Sequence, residues 1–154
     1  IHGSHLYGLA KPGSDADMHT VMRDDERKSQ TVASGVDRVV RGLDGFMLLV
    51  NRGSHQAVEA AFSKVKNVHP DYDRYFQSLR VAGAEVFGRY ERTIKSFCFG
   101  DEKKRVHAVR LSMNLDYLRY CGRFDPTMTE SQKGLAREWA GLYSGEELHN
   151  RLRD

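Results

Sequence analysis

Hydrophobic and polar positions change rhythm along the chain. Ser14-Asp15-Ala16-Asp17 and its continuation from Met18 to Met22 suit an extended strand, in which alternate side chains share a face. Gly35-Val36-Asp37-Arg38-Val39-Val40 reads as a further strand or the start of a helix. Apolar residues at 43, 46, 47 and 50 then give helical spacing, which Asn51-Arg52-Gly53 breaks. Ser54 opens a short helix through Phe62. Pro70 starts a third helical region, with Tyr72, Tyr75, Phe76, Leu79, Val86, Phe87 and Tyr90 as its apolar stripe. Gly83 and Gly88 weaken it and suggest a bend or close packing.

Gly100-Asp101 precedes a helix from about Glu102 to Cys121, stopped by Gly122. Thr129 caps another through about Leu142. Ser144 caps a last short one, with Glu146 and Glu147 in its first turn. The pattern predicts an α+β protein: a small β-containing N-terminal lobe over residues 1–66, then a helical lobe over 67–154 packed against it. The charge run Arg23-Asp24-Asp25-Glu26-Arg27-Lys28-Ser29-Gln30 reads as a solvated loop.

Length changes this picture little, since 154 residues suffice for one compact domain or two small packed lobes. No apolar run approaches the length of a membrane span, and the N-terminus lacks a secretory pattern. The expectation is an intracellular, cytoplasmic protein without a membrane partner. Ile1 at the start suggests missing upstream residues. Cys98 and Cys121 are too few and too far apart for a disulfide framework or a zinc site, and both read as buried reduced thiols. The formal net charge of +3 suits a phosphate-bearing ligand without specifying one.

The chemistry concentrates in the first seventeen residues, where Gly3-Ser4-His5-Leu6-Tyr7-Gly8 is followed by Ser14-Asp15-Ala16-Asp17. On a strand, Asp15 and Asp17 point the same way, and carboxylates so close repel unless a cation lies between them. Glycine lets backbone N–H groups approach an anion, and the Ser4 hydroxyl adds a donor. These parts predict a divalent metal beside a phosphate. Asp37 is the best third carboxylate because it opens an apolar segment able to pair beside the first strand. Asp44, on the polar side of the next helix, is the runner-up. Gly-Ser-His also occurs as a cloning remnant, but the whole string to Asp17 is longer than that explains.

That string resembles the signature of the DNA polymerase β-like nucleotidyltransferase superfamily. It is most similar to a branch of predicted bacterial and phage nucleotidyltransferases with the pattern Gly-Ser-x-x-Tyr-Gly-x-Ala-x-Pro-x-Ser-Asp-x-Asp. Asp37 to Phe46 resembles the branch's Asp-led segment running into a Leu-x-x-Phe helix. Gly53 to Phe62 is similar to its Gly-Asn-Pro-x-x-Leu-Glu-x-Leu-Phe block, with Ser54-His55 in place of Asn-Pro, and Glu59 either lines the site or has a surface or helix-pairing role. Lys103-Lys104-Arg105-Val106-His107-Ala108-Val109-Arg110-Leu111 looks like its Lys-rich His-x-x-Arg-Leu helix.

The resemblance implies a small mixed β-sheet nucleotidyltransferase core and a helical lobe closing the cleft. The implied activity transfers an NMP group from a nucleoside triphosphate to an acceptor hydroxyl, releasing pyrophosphate. Asp15, Asp17 and Asp37 would be the catalytic, magnesium-binding (or manganese-binding) residues. Gly3 and Ser4 would hold the terminal phosphates, and Lys103, His107 and Arg110 would offer a nucleotide-binding stripe. A solvated basic face with a packed histidine is the competing reading of that stripe. The acceptor stays open among tRNA or other RNA, a protein and a small molecule. Two alternatives remain: an inactive nucleotide- or RNA-binding module on the same fold, and a toxin–antitoxin component. Tyr72, Tyr75, Phe76 and Tyr90 could stack on bases, but their helical spacing favours core positions.

Overall fold

The computed structural model describes residues 3–23 and 29–153. The fold is α+β, with three strands among the described residues, all near the N-terminus, and all helices but the first after them. A single-turn helix α1 (Ser4–Tyr7) leads through a loop into β1 (Ala16–Met22). β2 (Ser29–Ala33) and β3 (Val36–Gly42) follow as a hairpin closed by Ser34-Gly35. Two-residue closure of this kind matches the twist of paired strands and fixes their register. The sheet is mixed, in the order β1-β3-β2: β1 runs parallel to β3, and β2 antiparallel to it.

Two boundaries differ from the sequence reading. Ser29 and Gln30 belong to β2, not to a loop; residues 24–28 of the charge run lie outside the described residues. Every residue of β2 is exposed, so no buried face marks it in the sequence. The helical region expected from Pro70 to Tyr90 is two helices, α4 (Pro70–Ser78) and α5 (Ala84–Cys98). Between them Val81 is buried and donates its N–H to the Gly122 carbonyl at 2.7 Å. That tertiary bond holds the connection extended against the end of a later helix.

The remaining helices fall where the spacing places them. α2 (Leu43–Asn51) follows β3 directly, and α3 (His55–Phe62) follows a tight turn at Arg52-Gly53. α6 (Glu102–Cys121) starts at Asp101, whose carboxylate accepts the Lys104 N–H at 2.8 Å, and stops at Gly122. α7 (Glu130–Leu142) starts with a reciprocal capping box between Thr129 and Gln132, and α8 (Gly145–Arg151) ends the described helices. One apolar cluster joins Tyr7, Phe46, Val58 and Phe62 from the first part of the chain to Tyr90, Leu111 and Leu118 from the second. Among the described residues, no helix is long and apolar enough to cross a membrane.

The cysteines separate. Cys98 is buried, and its thiol pKa is pushed up to about 11 by burial. Cys121 is exposed, contrary to expectation, because it sits in the last turn of α6 beyond the buried stripe; its Sγ lies against the carbonyls of Tyr117 and Arg123.

Candidate active site around the paired aspartates

The sheet brings two of the three candidate carboxylates together by register. Asp17 on β1 and Asp37 on β3 are direct partners across the parallel ladder, so their side chains leave the same face. Asp15 lies just before β1, where the Ala16 N–H continues the ladder by donating to the Gly35 carbonyl at 2.7 Å. Its carboxylate reaches toward the Gly35 end of β3. Ser14 shapes the approach to β1, its hydroxyl accepting the Lys11 N–H at 2.9 Å. His5 Nε2 meets the Ser14 carbonyl at 2.9 Å and ties α1 to this loop.

Gly3 packs directly on Asp17. A Cβ at position 3 would fall on the Asp17 carboxylate, and its backbone is left-handed (φ 76°). Glycine is therefore required here for close approach as well as for conformation. The Gly3 N–H is not directed outward as expected, however: it donates to the Tyr7 hydroxyl at 3.2 Å. The Ser4 hydroxyl has no hydrogen bond among the described residues and stands next to this contact.

Behind the turn lies a buried network. Glu59 on α3 has no solvent exposure; Arg110 Nη1 on α6 meets its Oε1 at 2.5 Å, and the Tyr7 hydroxyl donates to its Oε2. The Arg110 guanidinium also lies 3.6 Å above the Tyr7 ring. Burial alone would lower the Arg110 pKa, but the Glu59 carboxylate outweighs it and holds it above the usual value. Burial, reinforced by Glu59, raises the Tyr7 hydroxyl well above its ordinary pKa despite the nearby Arg110 charge. His107 packs edge-on to the Tyr7 ring, and burial with the nearby Arg110 charge lowers its pKa to about 4.

This geometry corrects the nucleotide-binding stripe. Lys103 is exposed at the start of α6, His107 is half-buried and held neutral, and Arg110 is buried with its charge paired to Glu59. Helical spacing put the three on one face, but it could not show that the deepest of them faces another helix. Arg110 therefore braces Tyr7 and Glu59 and is not an open phosphate ligand. Asp44 is exposed on α2, as expected for the runner-up.

One contributor escaped the sequence reading, and a second, Glu59, was named without its role being fixed. Gln30 on β2 donates from Nε2 to both oxygens of Asp37, at 3.0 and 3.1 Å. It was hidden in the charge run. Glu59 had a signal available, as a lone charge inside the apolar run Ala57-Val58-Glu59-Ala60-Ala61-Phe62; such a charge must be paired if the run is buried.

Asp15, Asp17 and Asp37 supply only hard carboxylate oxygens, the donor type that magnesium or manganese prefers. Among the described residues, no three His, Cys, Asp or Glu side chains already converge as a closed metal cluster. Asp17 and Asp37 are neighbours by strand register, and a carboxylate oxygen that accepts from Gln30 keeps a second lone pair. No protein-family model, curated protein or solved structure matches this chain.

Proposed function

We propose that the protein is a divalent-metal-dependent nucleotidyltransferase, moving an NMP group from a nucleoside triphosphate to an acceptor hydroxyl. The observation that carries the reading is the register pairing of Asp17 with Asp37, with the Gly3-Ser4 turn packed on Asp17. Asp15, Asp17 and Asp37 would hold magnesium or manganese, which when bound neutralises phosphate charge and makes an acceptor hydroxyl easier to deprotonate. Gln30 orients the Asp37 carboxylate through both oxygens. Ser4 is the side chain of the turn available to donate to a phosphate oxygen, while Gly3 keeps the turn close to Asp17. Tyr7, Glu59 and Arg110 act from behind: Tyr7 holds the Gly3 N–H, and the ion pair holds Tyr7. Positioning and charge neutralisation would supply most of the rate.

One observation favours a second reading, a nucleotide- or RNA-binding module without transfer. Gln30 engages both oxygens of Asp37, as it would in a site that binds without ligating a second ion. Both readings are separated by incubating the protein with α-labelled ATP, CTP, GTP or UTP, magnesium, and either total RNA or cell lysate. Transfer predicts label in RNA, in protein or in a small molecule, and Asp17→Asn or Asp37→Asn lowers it on the order of a hundredfold or more. Labelling that persists in the Asp15→Asn/Asp17→Asn double variant excludes the carboxylate site. Magnesium-dependent nucleotide binding without any labelled product selects the binding module.

A further inference from the structure

Beyond the carboxylates, the same face of β1 continues into a cavity of about 390 Å³. His19, two residues after Asp17, stands at its edge and packs edge-on to Phe46, with ring centroids 5.8 Å apart. Tyr72 and Phe76 from α4 form another wall. They are one helical turn apart and so share a face. No residue of α4 is fully buried: Phe76 is half-buried and packs against the core, as its spacing had suggested, while Tyr72 is half-buried at the cavity. Ala60 keeps one side of the cavity open because it carries only a methyl group.

Polar groups also line the cavity: His19, Arg23, Lys66, Asn67, His69 and Asp71. Lys66 lies over the Phe76 ring at 5.3 Å and donates to the Ala61 carbonyl at 2.5 Å, which fixes its ammonium at the cavity wall. Asn67 brings an amide that both donates and accepts. A half-open cavity of this volume, with aromatic rings and hydrogen-bonding side chains in one lining, has the composition of a small-molecule site. Aromatic walls suit a planar ring, and an amide suits the hydrogen-bonding edge of a heterocycle. Two residues of strand separate the cavity edge from Asp17, roughly 6–7 Å. That is close to the separation between a nucleoside's base and its 5′-phosphate.

We infer that this cavity seats the base of the nucleotide against Tyr72 and Phe76, with Asn67 at its edge and the phosphates directed along β1 to Asp17 and Asp37. The direction of the phosphates rests on the nucleotidyltransferase reading; the stacking pocket does not. Base selection then belongs to the segment from Lys66 to Phe76, on the far side of the cavity from the carboxylates.

The test separates base from phosphate in the whole 154-residue chain. Adenosine, guanosine, cytidine and uridine probe the cavity alone, and inorganic tripolyphosphate with magnesium probes the carboxylates alone. At least one nucleoside is expected to shift the ring NMR signals of Tyr72 and Phe76. Ala60→Phe, which fills the cavity, and Tyr72→Ala, which removes a wall from a helix with no buried residue, should each weaken binding of the matching triphosphate about tenfold or more. Neither should change tripolyphosphate binding, whereas Asp17→Asn should abolish it. If Ala60→Phe does not fold, Tyr72→Ala decides. The inference is overturned if no nucleoside moves the ring signals, or if Tyr72→Ala binds all four triphosphates like the native protein. Nucleosides that bind in the cavity, with no tripolyphosphate binding and no effect of Asp17→Asn, would support the cavity and sink the transferase reading.

Discussion

A carboxylate with no exposure to water is tolerated only when its charge and lone pairs are answered nearby, and Glu59 is answered by Arg110 and Tyr7 together. Tyr7→Phe leaves both Glu59 and the Gly3 N–H short of a partner. Urea unfolding should show a loss of about 1–3 kcal/mol. His107 carries a second residue-scale prediction. Its native pKa, near 4, lies below the ordinary 6.5, so the unfolded chain binds a proton there that the folded chain refuses. Its contribution is therefore complete above about pH 6.5, declines as the pH falls toward 4, and levels off below that. Over that window it amounts to roughly 3 kcal/mol at most. His107→Gln should flatten the acid limb of a stability–pH profile; identical limbs in variant and native protein would count against the burial argument. At this scale the sequence showed which residue types were present, and Asp17 and Asp37 were legible as candidates. The use of Arg110 was not, because helical spacing assigns a face but not the partner opposite it.

Elements were more legible. α6 runs between its caps Asp101 and Gly122, and α7 starts at its cap Thr129, because caps act through neighbouring backbone. β2 was missed because a fully exposed strand has no apolar alternation, and its existence depends on pairing with β3. Gly83, marked in the sequence as a weak point, caps α5 at the break from α4; the full separation into two helices was not legible, because the connection is held by the Val81–Gly122 bond between distant segments. The α2–α3 turn gives the prediction at this scale. Gly53 is left-handed (φ 70°), and a Cβ there would lie 2.7 Å from the Val86 backbone on α5. Gly53→Ala must strain the turn and push α5 away, costing at least about 1–2 kcal/mol. Thermal unfolding would reveal it, and an unchanged midpoint would show that the turn has room to move.

At the scale of the molecule, the part before residue 67 does not bury its own apolar surface. Phe62 packs on Phe124 at 5.3 Å between ring centroids, and Glu59 depends on Arg110. A fragment of residues 1–66 should therefore lack a cooperative unfolding transition and show poorly dispersed amide signals, while the full chain has both. A folded fragment would mean that the sheet and first helices are self-sufficient. The sequence by itself determined the α+β order of elements, most helix ends, and the short interval between the Gly3-Ser4 turn and the Asp15-Ala16-Asp17 segment. These follow from local periodicity and capping, which act over a few residues. Only the tertiary structure decided that Asp17 meets Asp37, that Gln30 holds Asp37, and that Arg110 is a brace behind Tyr7. Those outcomes depend on strand register and helix packing between distant segments, where desolvation must be balanced contact by contact.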